Sequence, residues 1–484
     1  MNENERQVKQ LTPKSEDFSK WYLELVQKAE LADYTPMKGM MVIRPHGYAV
    51  WENIQRSLDL RIKATGHVNA YFPLFIPEGF LKKEAEHVAG FSPEVAWVTI
   101  GGKEELEEKL AVRPTSEAII GHMYARWIKS WRDLPVLVNQ WANIVRWEKV
   151  TRPFLRTTEF LWQEGHTCHE TAEEAEAETL KVLAMYKEFC ETELAIPVLS
   201  GRKSVREKFA GAQMTYAIEA LMSDGKALQM GTSHNLGQHF SKAFDIKFED
   251  RSQTLQYVWQ TSWGMTTRTI GALIMVHGDD SGLRFPPRIA PVQAVLVPIS
   301  VGNWKESVLP VVQVAADGLR AAGVRVEVDA REEMTPGWKF AEYEMRGVPL
   351  RVEIGPRDVK SGQAVLVRRD TKAKVTVPLA SLPSRVPELL GEIQAGLLAE
   401  ARAFLEANIR DAADYGRFKD ILENQRGFIR APWCGGEDCE DRIKTETMAT
   451  IRVIPLDEAE GRTEGACACC GRPGKAVAYF ARAY

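Results

Sequence analysis

The 484-residue sequence has no run of about 18 apolar residues, so no membrane-spanning helix is expected. It has neither an internal repeat nor a low-complexity tract and gives no sign of a repeat architecture. The first ten residues, MNENERQVKQ, are polar and charged, which argues against a secretory signal. We therefore expect a cytoplasmic globular protein of two to four domains with a substantial core.

The net charge is small and cysteines are few. The formal net charge is −4, which gives no global sign of nucleic-acid binding, although cations gathered on one face could still contact phosphates. Seven cysteines are too few for a disulfide scaffold. Five of them crowd the C-terminal end, at Cys434, Cys439, Cys467, Cys469 and Cys470. This uneven placement predicts a small metal-held unit there.

The chain divides into three regions by pattern. Residues 1–289 mix strand and helix signals, and the strands outnumber the crossover helices, so we predict an α+β fold with an antiparallel sheet flanked by helices. The turn-rich segment GLRFPPRIAP (282–291) ends this region. Residues 290–408 alternate strand and helix, which predicts an α/β domain. Residues 409–484 carry the cysteines and form the third predicted unit.

The stretch VRWEKVTRPFLRTTEFLWQEGH (145–166) combines aromatic residues with repeated charges and is predicted to be a hairpin. Alternation places Arg146 and Glu148 on one face of the first strand, and Arg156 with Thr158 on one face of the second. An arginine can grip a phosphate through two parallel hydrogen bonds, and a nearby glutamate could accept from an adenine amino group or hold a metal ion. The alternative is a cross-strand salt bridge on a solvated face.

Three further segments are candidates. In RPTSE (113–117) a helix begins, so Thr115 or Ser116 would be its N-cap with Glu117 in the first turn. Thr115 and Glu117 could otherwise face a cationic ligand such as an amino-acid ammonium group. In ALQMGTSHNLG (227–237), Gln229, Thr232 and His234 surround Gly231, where the histidine could equally be a packed core group.

The last segment is SWGMTTRTIGALI (262–274), in which a glycine turn leads to Arg268 and an apolar helix. An arginine that enters a helix is usually a surface charge, so this segment alone indicates little. The order of all the segments is much more specific than any one of them.

FPLFIP (72–77), RWE…FLRTTEF (146–160) and WGMTTRTIGALI (263–274) occur in the order of motifs 1, 2 and 3 of class II aminoacyl-tRNA synthetases, whose catalytic core the chain resembles. RPTSE, GTSH and PGWKFAEYEMRGVPLRVEIGPRD narrow the resemblance to the prolyl-tRNA synthetase family, in its archaeal/eukaryotic-like form with C-terminal cysteines. The resemblance covers residues 16–484. It implies a catalytic domain (1–289), an anticodon-binding domain (290–408) and a zinc-binding α/β domain (409–484).

The resemblance also implies roles for individual residues. Arg146 would bridge the ATP α-phosphate and the proline carboxylate, and Arg146 and Arg268 would be the catalytic pair. Proline would be lined by Thr115, Glu117, Arg146, His234 and Trp263. ATP would be bound by Arg146, Glu148, Arg156, Thr157, Gln229, Thr232, Thr266 and Arg268. Mg²⁺ would accompany ATP near Gln229, and Pro73 of motif 1 would lie at a homodimer interface.

The implied reaction joins L-proline to tRNA(Pro) through a prolyl-adenylate, with release of diphosphate and AMP. Its reacting groups are anionic, so catalysis requires positioning, Mg²⁺ and arginines rather than a protein nucleophile. Some relatives insert an editing domain between motifs 2 and 3. Only about 60 residues separate His166 from Gly231 here, so we expect no internal editing site.

Zinc and anticodon contacts are the remaining expectations. The spacing Cys434-x4-Cys439 and Cys467-x2-Cys470 is typical of a closed, structural Zn²⁺ site, with Cys469 as the alternative ligand in ACACCG. Anticodon bases would be read by stacking and edge hydrogen bonds. The candidates for those contacts, each of which could equally be a solvated surface residue, are Lys339, Phe340, Glu342, Arg346 and Arg357.

Two other interpretations remain open. A threonyl-type synthetase would bring a catalytic zinc, but the sequence offers no matching Cys and His set near the presumed pocket. The second alternative is a synthetase-derived RNA-binding protein that has lost catalysis. The presence of Arg146, Glu148, Arg156 and Arg268 argues against it.

Overall fold

An eleven-stranded sheet is the framework of the computed structural model, which describes residues 10–87, 94–456, 463 and 465–484. Neighbouring strands pair antiparallel except at the two outermost positions, where pairing is parallel. The antiparallel sheet predicted for the first region is thus confirmed. From one edge to the other the strands are Ile409–Asp411, Phe428–Trp433, Ala476–Ala481, Thr450–Pro455, Leu199–Arg202, Met214–Leu221, Ala227–Gly237, Trp259–Thr266, Glu159–His169, Val136–Val145 and Val68–Asn69.

Helices cover the faces of the sheet, as the α+β prediction requires. The helix Ala172–Thr192 begins at a capping box formed by Thr171 and Glu174, and it buries Tyr186 and Phe189 in the main core. The other helices of this region are Phe18–Lys28, Pro45–Ala64, Glu78–His87, Glu117–Trp127, His239–Phe244 and Arg268–His277. Among the described residues, no helix combines the length and apolarity needed to cross a membrane.

The predicted strand at 68–77 is divided by Pro73, which has no N–H to donate to a ladder. Val68–Asn69 pairs with the large sheet. Phe75–Pro77 belongs instead to a three-stranded sheet with Glu104–Val112 and Trp97–Gly101. The proline therefore marks the point where the chain leaves one sheet for the other.

The second region has its own five-stranded sheet, in the order Val326–Val328, Ala294–Pro298, Leu350–Ile354, Gln363–Arg368 and Lys374–Pro378. The first three strands are parallel, which confirms the strand–helix–strand alternation read from the sequence. Its helices are Trp304–Ser307, Leu309–Ala321, Pro336–Met345, Pro356–Ser361 and Leu382–Ala407. A two-pronged ion pair between Arg369 and Asp279, at 2.8 and 2.6 Å, joins this region to the end of the helix Arg268–His277.

The cysteine-rich region differs from the prediction of a separate third unit in one respect. It has a core of its own around Phe418 and Ile451, and its helices are Tyr415–Asn424 and Glu437–Thr447. Its four strands, however, belong to the same eleven-stranded sheet as those of the first region, because Ile454 pairs with Arg202 where the two sets of strands meet. The cysteine-rich end is therefore structurally joined to the sheet that carries the candidate site.

Candidate functional site

One cavity of about 310 Å³ brings together all the residues that the sequence assigned to proline and ATP. It lies against four strands of the large sheet and the loop that follows Val145. The assigned residues on its wall are Thr115, Glu117, Arg146, Glu148, Arg156, Thr157, Gln229, Thr232, His234, Trp263, Thr266 and Arg268. Residues from five separate stretches of chain thus meet at one place.

A β-bulge explains how Gln229 and Thr232, an odd-numbered and an even-numbered position of one strand, both face this cavity. Ile218 pairs with Gly231 and Glu219 pairs with Gln229, so Met230 is an extra residue in its strand. Strict alternation would place Gln229 and Thr232 on opposite faces, because they are three positions apart in the strand. The extra residue resets the alternation, and both side chains reach the cavity.

At one end of the cavity, which we call the buried end, a carboxylate network lies under Thr115 and Glu117. Thr115 Oγ1 donates a hydrogen bond to Glu117 Oε2. Glu164 Oε1 accepts from Ser116 Oγ at 2.5 Å and from Gln140 Nε2 at 2.5 Å. The predicted N-cap position is confirmed at Ser116, with Glu117 in the first turn, but the Ser116 side chain makes no capping bond.

The buried end also contains His166, whose Nε2 lies 3.0 Å from Glu164 Oε2. Burial alone would lower the pKa of His166, but the hydrogen bond and charge of Glu164 raise it above its ordinary value. Burial opposes the ionised form of Glu164 as well, yet its hydrogen bonds and the charge of His166 lower its pKa. Both pKa shifts therefore favour the imidazolium–carboxylate form of the pair.

Glu164 and His166 were not among the residues predicted from the sequence, although a signal existed. Trp162, Glu164 and His166 alternate along the strand Glu159–His169, so all three point to one face. All three line the cavity. His234, on the strand Ala227–Gly237 beyond Trp259–Thr266, also lines it, and burial together with the charge of His166 lowers the pKa of His234 to about 3. His234 is therefore neutral at physiological pH.

Arginines concentrate at the other end, which we call the open end. Arg146 donates from Nε to Pro114 O at 3.0 Å, and its guanidinium lies 5.6 Å from the ring centre of Trp162. Arg268 donates from Nε to Leu155 O at 3.1 Å. Burial and the charge of Arg146 lower the pKa of Arg268 to about 10, so both remain cationic. Two guanidinium groups held in one cavity create a positive potential that attracts an anion.

Arg146, Glu148 and Arg156 occupy the loop between two strands, and this corrects the predicted hairpin geometry. The first strand ends at Val145 and the second begins at Glu159, so these charges do not alternate along strands. Arg156 Nε donates to Glu148 Oε2 at 2.7 Å, and the Arg156 side chain is 60% exposed. The salt-bridge alternative is therefore present, but on the wall of the cavity rather than away from it.

Tyr484 contacts the loop between Val145 and Glu159 through Arg152. The Arg152 guanidinium lies between the rings of Tyr22 and Tyr484, at 5.4 and 5.5 Å from their centres. Tyr484 Oη donates to Asp224 Oδ2 at 2.7 Å, and its backbone N–H donates to Ala227 O at 3.1 Å. Tyr484 is thus docked on the large sheet.

Four cysteine sulfurs form a second candidate site. Cys434, Cys439, Cys467 and Cys470 have sulfurs that all lie within 4.8 Å of one another, and Cys469 is not part of the group. Cys434 Sγ is 3.6 Å from Cys439 Sγ and 3.8 Å from Cys470 Sγ. A tetrahedral zinc–thiolate site with bonds of about 2.3 Å has sulfur–sulfur edges of about 3.8 Å. The donor set therefore fits a closed tetrahedral metal site.

The predicted anticodon residues lie in different environments. Lys339 is fully buried and donates from Nζ to Asp329 O at 3.0 Å, so its role is structural rather than in base reading. Phe340 is covered by a guanidinium from a neighbouring strand, 3.9 Å from its ring centre. The Glu342 carboxylate is paired with an arginine side chain at 2.6 Å. Arg346 pairs with a carboxylate of the catalytic region, and Arg357 is exposed.

Comparison with known proteins gives three family matches. The model described as "tRNA synthetase class II core domain (G, H, P, S and T)" matches residues 97–277. The model "Anticodon binding domain" matches residues 293–389. The model "Prolyl-tRNA synthetase, C-terminal" matches residues 415–484, the region that carries the four-cysteine group.

Full-length relatives agree with these matches. A proline--tRNA ligase of Natranaerobius thermophilus is 58% identical, and the alignment covers 99% of both chains. One from Rubrobacter xylanophilus is 59% identical, again with 99% of both chains covered. The crystal structure of prolyl-tRNA synthetase from Cryptosporidium parvum, complexed with halofuginone and AMPPNP, superposes with a TM-score of 0.94 at 42% identity, covering 100% of this chain and 99% of that one. The chain therefore belongs to the prolyl-tRNA synthetase family of class II enzymes.

Proposed function

We propose that the chain ligates L-proline to tRNA(Pro) in two ATP-dependent steps that share the cavity. The observation that carries this proposal is the joining of a buried, carboxylate-lined end to an open end rich in arginine. The first suits a small amino acid with a cationic amine, and the second suits a triphosphate. A single site that accepts both allows the proline carboxylate to meet the α-phosphate.

At the buried end, Glu117 and Thr115 would bind the proline ammonium group. Trp263, which is 2% exposed, would form the apolar wall, and neutral His234 would close the site without repelling the amine. Arg146 stands between the two ends and would hold the proline carboxylate and the α-phosphate together. The two-pronged grip of a guanidinium favours this geometry over that of a lysine.

At the open end, Arg268, Arg156 and the hydroxyls of Thr157, Thr232 and Thr266 would bind the nucleotide. Glu148 would accept from the adenine amino group, which requires its present partner Arg156 to turn toward phosphate. Gln229 places an oxygen donor on the cavity wall and would hold Mg²⁺ together with the phosphates. Bound Mg²⁺ neutralises phosphate charge.

The first step forms a bond between a proline carboxylate oxygen and the α-phosphorus, and breaks the bond to diphosphate. In the second step the 3′-terminal hydroxyl of tRNA attacks the prolyl carbonyl, and AMP leaves. The side chains contribute alignment and fixed positive charge, which lower the barrier most where charge develops. No covalent intermediate with a protein side chain is required.

Proline-dependent ATP–diphosphate exchange tests the proposal. We expect exchange with proline and far less with threonine, which also separates this function from the threonyl-type alternative. Exchange with another amino acid but not with proline would contradict the proposal, and no exchange at all would favour an RNA-binding protein without catalysis.

We also propose a division of the chain into a catalytic domain (1–289), an anticodon-binding domain (290–408) and a zinc-binding domain (409–484). In the second domain, exposed Arg357 and half-buried Phe340, Glu342 and Arg346 remain the candidates for anticodon contacts. Because charging serves translation, the proposal places the protein in the cytoplasm. Loss of tRNA charging with retained diphosphate exchange in the Arg357→Ala variant would support the assignment to the anticodon.

Zinc is the proposed occupant of the four-cysteine group. Its role would be structural, because four thiolates leave no open position for substrate. The Arg472 guanidinium donates from Nε to Cys470 Sγ at 3.3 Å and would offset part of the thiolate charge. Metal analysis of the purified protein should give about one zinc per chain.

A homodimer through motif 1 is a further part of the proposal. Large apolar side chains near Pro73 are exposed in the single chain, among them Val68 at 61% and Tyr71 at 71%. An exposed apolar patch of this kind is typical of an interface. Sedimentation equilibrium should give twice the chain mass, and a Tyr71→Glu variant should shift it toward the monomer.

The proposal includes no editing of mischarged tRNA within the chain. The segment between His166 and Gly231 consists of the helix Ala172–Thr192, two strands of the catalytic sheet and their connections. An apolar pocket discriminates by roughly 1–3 kcal/mol per methylene, so some alanine should be activated. Rapid deacylation of alanyl-tRNA(Pro) by the pure protein would refute this part.

A further inference from the structure

The loop 203–213 connects two strands of the catalytic sheet and reaches the buried end of the cavity. Phe209, on this loop, lines the cavity with its ring centre 4.8 Å from that of His234. The Phe209 backbone N–H donates to Thr215 Oγ1 at 3.0 Å, and the same oxygen lies 2.9 Å from His234 Nδ1. The position of this loop therefore determines how the site is closed beside His234.

The loop is held from outside by the helix Glu437–Thr447. Ser204 Oγ donates to Glu440 Oε1, and the two residues are only 2% and 5% exposed. Exposed ion pairs add to this bond: Arg206 pairs with Glu437 at 3.0 Å and with Asp441, and Lys444 lies 3.9 Å from the Glu207 carboxylate. Because a buried hydrogen bond to a carboxylate contributes more than an exposed ion pair, the bond between Ser204 and Glu440 is the main tether.

Ser204 is also the residue from which the loop turns. Its carbonyl accepts from the backbone N–H groups of Glu207 and Lys208, at 3.2 and 3.0 Å. Fixing the Ser204 side chain therefore fixes the turn that leads to Phe209. On the helix, Glu440 directly follows Cys439, which belongs to the four-cysteine group. The cysteine-rich domain thus anchors both the start of the helix and the residue that grips the loop.

We propose that Glu440 is a positioning residue for the amino-acid substrate, which it never touches. Through Ser204 it holds the loop 203–213 against His234, and the cysteine-rich domain thereby shapes the buried end of the cavity. The inference rests on the proposed function in so far as that function assigns proline to the buried end. The tether itself depends only on the contacts described above.

Exchange kinetics of the full-length protein test the effect on substrate. In Glu440→Ala we expect the KM for proline to rise about tenfold, because a flexible loop must be ordered on binding, while the KM for ATP changes by less than about twofold. Glu440→Gln keeps an acceptor oxygen for Ser204 and should remain within about threefold of wild type. Glu446→Ala is the matched control, because it removes an exposed carboxylate of the same helix that contacts Arg442 instead of the loop.

An unchanged KM for proline in Glu440→Ala, or an equal rise in the KM for ATP, would overturn the inference. Zinc content is measured for every variant. If Glu440→Ala loses metal, Ser204→Ala takes its place, since that change leaves the helix and the cysteines intact. Ser204→Ala should show the same selective rise.

Amide hydrogen exchange without substrate separates the tether from the proposed function. The peptide 203–213 should exchange faster in Glu440→Ala than in wild type, while the strand Ala227–Gly237 should not change. Equal exchange of the loop in both proteins overturns the tether. A wild-type protein without proline-dependent exchange would contradict the proposed function and leave the tether to be judged on this measurement.

Discussion

The two ends of the cavity differ in how their charges are satisfied before any substrate binds. At the buried end, the Glu164 side chain is 2% exposed and already has Ser116, Gln140 and His166 as partners. At the open end, the 60% exposed Arg156 side chain is paired with Glu148, a residue predicted to bind adenine. The buried end is thus organised in advance, whereas the open end must exchange partners when the nucleotide arrives.

Arg146 lies where the two ends meet, so its replacement should have the largest effect. Arg146→Lys keeps the charge but loses the two-pronged geometry, and we expect adenylate formation to fall by about 10²–10³ with the fold retained. Diphosphate exchange and circular dichroism measure the two parts of this prediction. Arg320→Lys, at an exposed position of the helix Leu309–Ala321, is the control. Near-normal exchange by Arg146→Lys would return its segment to a structural role.

Glu164→Gln tests whether the buried end is organised in advance. The change leaves His166 without its buried counter-charge, so the protein should lose roughly 3 kcal/mol of stability. The KM for proline should rise while the KM for ATP stays nearly constant. Urea unfolding and exchange kinetics measure these effects, with the exposed Glu173→Gln as the control. Equal stability of Glu164→Gln and wild type would remove the contrast between the two ends.

The same ion pair predicts a pH dependence of stability. The pKa of His166 is raised in the folded protein, so the pair's contribution is fully present below the unfolded value of about 6.5. That contribution is lost as pH rises through the folded pKa, and Glu164, with its lowered pKa, stays ionised throughout. Unfolding of wild type and His166→Gln should therefore differ most near pH 6 and converge at higher pH. A difference that grows with pH would contradict the ion pair.

Glu148→Gln should affect the open end alone, and more weakly. Its pairing with Arg156 is largely exposed, so the loss of stability should stay below about 1 kcal/mol. The amide can still accept a hydrogen bond from adenine, so we expect the KM for ATP to rise about fivefold at most. The KM for proline should not change. A larger effect on proline than on ATP would show that the two ends are not independent.

Sequence reasoning predicted the residues of the cavity better than their geometry. The order of the motifs was enough to gather Thr115, Arg146 and Arg268, because each stands in a recognisable local pattern. It did not foresee that Glu164 and His166 lie beneath them, since their pairing depends on contacts between distant segments. The bulge at Met230 was equally hidden, because one extra residue in a strand leaves no mark in the alternation until the partner strand is known.

The fold too has parts that local patterns predict and parts that depend on contacts between distant segments. The large antiparallel sheet and the five-stranded sheet follow from strand patterns. The union of the cysteine-rich strands with the large sheet, however, depends on one edge pairing, between Ile454 and Arg202. Burial of Lys339 was missed for a related reason. Its partner Asp329 precedes it by ten residues, and only the fold brings the two charges together in the interior.

The four-cysteine group provides the prediction with the smallest expected effect. Its sulfurs come from two pairs of cysteines that are close in sequence, whereas the residues of the cavity come from distant segments. Cys469 is buried beside the group but outside it, so Cys469→Ser should leave zinc stoichiometry unchanged. Cys470→Ser removes one of the grouped sulfurs and should weaken zinc retention against a chelator. Loss of zinc from Cys469→Ser with retention in Cys470→Ser would reverse the assignment. Equal zinc retention in the two variants would mean that either sulfur can complete the tetrahedron. The two adjacent cysteines would then let this site tolerate the loss of one ligand, which the cavity would not.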